Sequence, residues 1–234
     1  MIKIKNTVKK IYRILKRKDF WYTTDISCQN KFVGSAYGGW WMAQTDLTTE
    51  DIVLSFGLGE DISFDLGIIE NYGCQVYGFD PTPKSITYLK SLSLPSNFIL
   101  KEYGLGAKDE MADFFLPTNE EHVSGSVLAH EGQGTKVSVP LKSMKTLLKE
   151  LGINKNIAIL KMDIEGAEYN IIKSLFPLPV KIDQIFIEYH HFFSNVSNEE
   201  TINSIKLLND NGYYLFNIDG YNYSFVSKEL ITEQ

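Results

Sequence analysis

The segment from Asp51 to Asp80 constrains the fold more than any other part of the chain. An apolar run leads into a turn with two glycines, Gly57 and Gly59, and a helical pattern then leads to a second apolar run that ends at Asp80. This order predicts strand, tight turn, helix, strand and acid, the unit by which an open parallel sheet holds a nucleoside-bearing ligand. The glycines let the backbone approach the ligand, and the acid accepts hydrogen bonds from ribose hydroxyls.

The glycine turn departs from the dinucleotide pattern G-x-G-x-x-G. Its third glycine position is Ile62, and Glu60 and Asp61 directly follow the turn. Carboxylates at this point repel a pyrophosphate, which needs the positive end of a helix. They suit a cofactor that has no phosphate and carries cationic groups, and S-adenosylmethionine fits through its ammonium and sulfonium. A strand–turn–helix that binds nothing stays open as an alternative, because glycine turns also serve plain packing.

The composition is that of a globular chain of 234 residues, with 44% hydrophobic and 13% aromatic residues. The two cysteines, Cys28 and Cys74, show neither a metal-ligand spacing nor a disulfide framework. A reducing, cytoplasmic compartment is therefore expected. No apolar run has the length of a membrane span, and no secretory signal is evident.

The charge is uneven along the chain. Residues 1–18 carry eight Lys or Arg and no acid, whereas the remainder carries 15 basic residues against 29 acids. Apolar residues recur at helical spacing in 1–18, which predicts a basic amphipathic helix. Two interpretations stay open: peripheral contact with an anionic membrane surface, or a solvated helix whose apolar stripe packs on the domain. The acidic remainder disfavours nucleic acid as a partner.

Strands alternate with helices beyond residue 50, which predicts a mostly parallel, doubly wound α/β sheet that ends in an antiparallel hairpin. The expected organisation is a basic helix (1–18), an N-terminal cap or lid (19–50) and an α/β domain (51–234). Adjacent tryptophans in the cap, Trp40 and Trp41, predict either a lid over the ligand cleft or core packing.

Further segments of the chain also carry expectations. A helix is expected over 60–72 and a turn over 103–107. Segments 111–116 and 135–141 alternate like exposed strands and are expected to pair as an inserted hairpin. The polar, glycine-rich stretch between these two strands predicts a mobile loop, and residues 117–135 are expected to shape the pocket of the second substrate together with residues 20–45.

Three acids follow the apolar strand Ile157 to Met162. Asp163 ends that strand, at the edge where ligands bind in open α/β sheets. Glu165 and Glu168 are three residues apart and share a face if a helix has begun there, so helix capping is the structural alternative for both.

One strand later, Glu188, His190 and His191 reach the same edge of the predicted sheet. An acid and a histidine that face one cleft can together deprotonate a hydroxyl, because histidine titrates near neutral pH. A purely structural role stays open for each histidine.

Four motifs lie within a stretch of roughly residues 50–220: SFGLGEDISFD (55–65), FDPTP (79–83), LKMDIEGAEYNII (160–172) and IEYHHF (187–192). They resemble motifs of the FkbM-type S-adenosylmethionine-dependent methyltransferases. The resemblance implies a Rossmann-like class I methyltransferase fold, S-adenosylmethionine as the cofactor, and O-methylation of a sugar or another small hydroxylated molecule. Residues 1–50 lie outside it.

The resemblance also implies a set of cofactor-binding residues. These are Gly57 and Gly59 at the methionine part, Asp61 and Asp65 nearby, Asp80 and Pro81 at the ribose, and Leu105 at the adenine. The first motif of the family is closer to D-x-G-A-x-x-G, and here Ser55 replaces its acid.

The expected acceptor site holds a base, an orienting residue and substrate contacts. The base is His190 or Asp163, the orienting residue is Glu188, and the substrate contacts are Trp41, Glu165 and His191. No metal is expected. The alternatives are a nicotinamide-dependent oxidoreductase, a non-catalytic nucleoside-binding scaffold, and a metal-assisted methyltransferase that uses Asp163, Glu165 and a histidine. The partner expected in every enzymatic interpretation is a small-molecule or glycan acceptor.

Overall fold

The computed structural model describes residues 2–116 and 135–232, so the loop expected between the two hairpin strands lies outside the described residues. Within this part, twelve strands and seven helices follow one another. The strands are β1 (Asn30–Val33), β2 (Trp40–Ala43), β3 (Ile52–Phe56), β4 (Gln75–Phe79), β5 (Phe98–Lys101), β6 (Gly104–Gly106), β7 (Glu110–Leu116), β8 (Thr135–Ser143), β9 (Ile157–Met162), β10 (Ile182–Glu188), β11 (Tyr213–Asp219) and β12 (Asn222–Ser227). The helices are α1 (Ile2–Leu15), α2 (Ser63–Tyr72), α3 (Pro83–Ser91), α4 (Met144–Leu151), α5 (Glu168–Ser174), α6 (Asn198–Asp210) and α7 (Lys228–Thr232).

Seven strands form the central sheet, in the order β11-β12-β10-β9-β3-β4-β5. The neighbours from β10 to β5 pair in parallel, whereas β12 runs antiparallel to both β10 and β11. The mostly parallel sheet with a C-terminal antiparallel hairpin is therefore confirmed. The chain leaves β3 toward one edge and returns at β9 on the other side of β3, so a crevice opens between the carboxyl ends of β3 and β9.

The central strands are buried because helices and the N-terminal segment cover both faces of the sheet. Every residue of β3 and β9 is buried, including the one charged residue of these two strands, Lys161. Parallel strands covered on both faces are expected to be continuously apolar, so a buried lysine there needs a specific partner.

The N-terminal strands β1 and β2 form an antiparallel hairpin that packs on the sheet. Trp40 stacks on Phe186 of β10 with ring centroids 5.9 Å apart. The buried Gln184 side chain accepts a hydrogen bond from the main-chain N–H of Ala43 and donates one to its carbonyl oxygen. This hairpin is thus joined to the core by both apolar and polar contacts.

Three local expectations differ from the structure. Gly104–Gly106 is a short strand that pairs in parallel with β8, where a turn was expected over 103–107. Helix α2 begins at Ser63 rather than at 60, since the Asp61 carboxylate accepts a hydrogen bond from the Ser63 N–H just ahead of the helix. Helix α5 begins only at Glu168, so Glu165 shares no helical face with it. The inserted hairpin of β7 and β8 is confirmed.

We expect Gln184→Ala to lower the free energy of unfolding by about 1–3 kcal/mol, because both main-chain polar groups of Ala43 would be buried without a partner. Urea denaturation measures this loss. The control is Thr45→Val, which removes only a half-buried acceptor of the Gln184 amide and should cost about 0.5 kcal/mol or less. Equal losses in the two variants would show that the amide does not join the hairpin to the sheet.

Candidate active site

A cavity of about 500 Å³ opens at the carboxyl ends of β3, β4, β9 and β10. This volume lies within the range of small-molecule and cofactor sites. The described residues of its wall come from the glycine turn, the strand ends, the β1–β2 loop and the three-stranded sheet. They are Tyr37, Gly38, Trp40, Phe56, Gly57, Leu58, Gly59, Glu60, Asp61, Asp80, Pro81, Thr82, Ser85, Gly104, Leu105, Phe114, Leu141, Lys161, Asp163, Ile164, Glu165, Ala167, Glu188 and Asn222.

The glycine turn passes directly against the end of β9. A Cβ atom on Gly57 would lie 1.6 Å from the main-chain oxygen of Asp163, and Gly57 has a φ of +76°. The Asp163 N–H also donates a hydrogen bond to the Phe56 oxygen. Only glycine satisfies both the conformation and the close approach, so the turn that the sequence places at the ligand edge is held there by backbone packing.

Asp80 supports this turn with both carboxylate oxygens. Oδ2 accepts hydrogen bonds from the N–H groups of Leu58 and Gly59 at 3.1 and 3.0 Å. Oδ1 accepts from the N–H and the hydroxyl of Thr82. A carboxylate offers about four acceptor sites, and all four are in use. The residue expected to hold ribose lies on the cavity wall beside Pro81, and it also shapes the glycine turn.

Asp61 joins the cap to the start of α2. Its carboxylate accepts a hydrogen bond from the Ser35 hydroxyl at 2.6 Å and another from the Ser63 N–H at 2.9 Å. Partial burial opposes ionisation, but hydrogen bonds from Ser35 and Ser63 outweigh it and lower the pKa of Asp61. A Cβ atom on Gly38 would lie 2.6 Å from this carboxyl carbon, so the cap loop fits closely over an ionised acid.

Asp65 does not reach the cavity wall formed by the described residues. Its side chain is buried in α2, where burial raises its pKa while Lys161 and Ser55 favour the ionised form. The side chain therefore belongs to the support behind the turn, and the geometry does not support a direct cofactor contact.

Lys161 is a site residue that the sequence analysis missed. It is 4% exposed, and its ammonium group donates a hydrogen bond of 3.0 Å to the carbonyl oxygen of Gly57. The ammonium lies 6.0 Å from the Trp40 ring, and its charge acts on both Asp65 and Asp163. A lysine inside the otherwise apolar run IAILKM was the signal that could have identified it.

A cluster of carboxylates surrounds the buried His190 imidazole, and two of them, Asp163 and Glu165, line the cavity. The Nε2 atom lies 3.3 Å from Glu165 Oε2 and 3.8 Å from Asp163 Oδ1, while Nδ1 lies 3.1 Å from Glu168 Oε1. Glu165 reaches this position from a φ of +53°, an uncommon conformation for a residue other than glycine. The structure thus brings together Asp163, Glu165 and His190, as the sequence analysis expected.

Glu168 positions His190 from behind. It is fully buried and accepts hydrogen bonds from the main-chain N–H groups of Gly166 and His190 as well as contacting Nδ1. Helix capping was the structural alternative for Glu168, and its contact with His190, 22 positions away, could not be read from local spacing. Fixing Nδ1 in this way directs Nε2 toward the cavity acids.

The charges of this cluster set its protonation. Burial disfavours the imidazolium, but hydrogen bonds with Glu165 and Glu168 outweigh it and raise the pKa of His190 to about 11. The enclosed position of Asp163 and the neighbouring charge of Glu188 raise the pKa of Asp163 well above its usual range. About a third of the Asp163 side chain remains exposed, and this residue lines the cavity. At neutral pH, His190 is a cation among acids.

Two expected substrate contacts lie away from the cavity. The His191 ring is buried against Phe20, with Nε2 3.5 Å from Asp19 Oδ1. Trp41 points to the opposite side of β2 from Trp40, packs on Phe32 and donates a hydrogen bond to Asp219. Neither residue is part of the described wall. Alternate residues of a strand face opposite sides, so of the two tryptophans in β2 it is Trp40 that lines the cavity.

The wall fits S-adenosylmethionine in shape and charge. Gly57 and Gly59 allow close approach of a ligand, and Glu60 and Asp61 supply negative charge at the turn. Leu105 lies with Phe114 and Leu141 on the apolar side of the cavity, as an adenine requires. These features define an open α/β protein that binds a non-phosphorylated nucleoside cofactor at the switch point of its sheet.

The methyltransferase FkbM domain matches residues 51–215, which is more than half of the chain. The chain therefore belongs to the FkbM methyltransferase family, and the resemblance of its motifs is confirmed. It is an S-adenosylmethionine-dependent methyltransferase, which sets aside the oxidoreductase and the non-catalytic scaffold.

Two solved structures are also similar to this chain. The fibrillarin pre-rRNA processing protein of Methanococcus jannaschii is 11% identical with a TM-score of 0.45, over 79% of this chain and 70% of that one. Fibrillarin of Aeropyrum pernix, in complex with natively bound S-adenosyl-L-methionine, is 9% identical with a TM-score of 0.41, over 79% and 68%. No curated protein matches the chain. The family assignment thus rests on the domain match.

Gly57→Ala and Gly59→Ala form a matched pair of variants. Both residues have positive φ, but a Cβ atom at Gly59 has no heavy atom within 4 Å. We expect Gly59→Ala to cost about 1–2 kcal/mol of stability, and Gly57→Ala to cost more and to weaken S-adenosylhomocysteine binding. Urea denaturation and calorimetric titration measure the two effects. Equal behaviour of the variants would contradict the packing of Gly57 on Asp163.

Proposed function

We propose that this methyltransferase transfers a methyl group to a hydroxyl oxygen of a small hydroxylated molecule, a sugar or a glycan precursor. One observation carries the proposal: Asp163, Glu165 and Glu188 line the same cavity as the glycine turn, and the buried His190 contacts Asp163 and Glu165. Carboxylates beside a bound hydroxyl provide the base and the orientation that O-methylation needs.

The chain binds and orients the cofactor with its turn and its acids. When bound, S-adenosylmethionine supplies a methyl group on a cationic sulfonium. Gly57 lets the turn approach the ligand, Glu60 and Asp61 favour its cationic part, and Asp80 fixes the turn and adjoins the ribose position. Leu105 would pack against the adenine ring. The main task of the protein is to align the acceptor oxygen with the methyl carbon, because the methyl group of S-adenosylmethionine is already activated.

At the acceptor end, Asp163 is the base that the geometry favours, and Glu188 orients the acceptor. His190 is held as a cation by Glu165 and Glu168, so it balances the acids instead of accepting a proton. Bound S-adenosylmethionine would supply the methyl group to the acceptor oxygen and leave as S-adenosylhomocysteine, and Asp163 would accept the hydroxyl proton.

Neutral, hydroxyl-rich acceptors suit this wall best. Its carboxylates repel anionic acceptors and accept hydrogen bonds from hydroxyl groups. Tyr37 at the mouth and Trp40 in the wall offer aromatic faces, and Asn222 adds an amide beside Glu188. These features together favour a sugar over a small apolar alcohol.

We propose the cytoplasm as the location, because both cysteines are free and one is buried. Among the described residues, no helix combines the length and the apolar character that crossing a bilayer requires.

We expect Asp163→Asn to reduce kcat by about 10²-fold or more while S-adenosylhomocysteine affinity stays unchanged, because only the base is removed. Release of S-adenosylhomocysteine with a panel of monosaccharides and glycosides measures turnover. A variant as active as the original chain would remove Asp163 from the mechanism.

The pH dependence gives an independent check on the base. Asp163 must be ionised to act, and its pKa is raised by burial and then by Glu188, so activity should fall with decreasing pH well above the ordinary range of an aspartate, about 4. Glu188→Gln removes one negative charge, lowers the pKa of Asp163 and moves this acid limb to lower pH. If activity falls at the same pH in Glu188→Gln as in the original chain, a group other than Asp163 controls the loss of activity at low pH.

A metal-assisted reaction is the second candidate. Asp163, Glu165 and His190 place three ligand atoms within 4.8 Å of one another, a set that can hold a divalent cation. We expect turnover to survive EDTA, because protonated His190 already supplies positive charge between these acids. Loss of turnover that Mg²⁺ or Mn²⁺ restores would replace the proposed mechanism with the metal-assisted one.

A further inference from the structure

Helix α1 presents an exposed apolar stripe to solvent. Val8, Ile11, Tyr12 and Leu15 have exposed fractions of 61, 47, 62 and 76%. Their spacing of three, four and seven residues puts them on one side of the helix. These four residues are called the apolar face below. Of the two interpretations of this helix, packing on the domain does not describe Val8, Ile11 and Leu15, whereas Ile14 is half-buried.

A different side of α1 attaches the helix to the domain. The Arg13 guanidinium pairs with the buried Asp19 carboxylate at 2.9 Å and lies 4.9 Å from the Tyr221 ring. Asp19 in turn lies 3.5 Å from His191. Because polar contacts already fix this side, the apolar face is left without a cover among the described residues.

The surroundings of the apolar face are basic and aromatic. Lys9, Lys16, Arg17 and Lys18 are exposed, and residues 1–18 contain no acid, whereas the rest of the chain has a formal charge of −14. Trp21 is 64% exposed, and the Lys10 ammonium lies 5.5 Å from its ring. Interfacial helices combine basic residues, an apolar face and an aromatic residue such as tryptophan, and they lie in the plane of the membrane surface.

We propose that the apolar face of α1, together with Trp21, docks onto the anionic surface of a lipid membrane. The apolar side chains enter the boundary between headgroups and acyl chains, and the lysines contact anionic headgroups. Nucleic acid offers the same charge but no apolar layer for the stripe.

Docking would bring the acceptor end of the cavity close to the membrane. Arg13 contacts Tyr221, and the next residue, Asn222, lines the cavity and pairs with Glu188 in the sheet. The proposal itself does not depend on the identity of the acceptor.

Vesicle sedimentation of the full chain tests the proposal. We expect binding to vesicles of phosphatidylcholine mixed with the anionic lipid phosphatidylglycerol, weaker binding in high salt, and little binding to phosphatidylcholine alone. Ile11→Glu/Leu15→Glu should reduce binding more than about tenfold. Lys16→Gln should reduce it about fivefold.

Met111→Glu is the matched control, because Met111 is equally exposed at 62% but lies on β7. It should bind as the original chain does, and thermal unfolding verifies that each variant folds. Absence of vesicle binding by the original chain would overturn the proposal, as would equal binding by Met111→Glu and Ile11→Glu/Leu15→Glu. Self-association that the double variant abolishes would show instead that a second copy covers the face.

Discussion

The close packing of the glycine turn on the end of β9 is the constraint on which the site depends. Gly57 lies against the Asp163 carbonyl, and the Asp163 N–H bonds to Phe56, so the ends of β3 and β9 are fixed where the sheet order reverses. This contact opens the crevice and also sets the position of Asp163. One backbone contact thus connects the cofactor turn to the proposed catalytic base.

The electrostatic balance of the cavity follows from this geometry. Acids from four strand ends converge on one cavity, and two buried cations keep them together: Lys161 behind the glycine turn and His190 among the acceptor-site acids. Without them, the carboxylates would repel one another or take up protons. Glu168 completes the arrangement, because its buried carboxylate fixes the orientation of His190.

The predictable parts of the site are those that a local pattern encodes. The glycine turn, Asp80 and Asp163 could be placed at one edge because parallel strands end on the same side of the sheet. Trp41 and His191 were expected at the substrate but lie away from the cavity, whereas Trp40 lines it and His190 contacts Asp163 and Glu165. Which neighbour faces the site is decided by contacts with distant segments, such as the stacking of Trp40 on Phe186. Lys161 was missed because its partner is a carbonyl 104 residues away.

The sequence by itself determined the strand–turn–helix order, the uneven charge and the motifs of the FkbM family, because each depends on neighbours in the chain. The tertiary structure decided that Asp80 supports the turn, that Asp65 is buried behind it, and that the stripe of α1 faces solvent. These outcomes depend on contacts between distant segments. Burial and hydrogen bonding across such contacts fix a side chain's role, and no local periodicity records them.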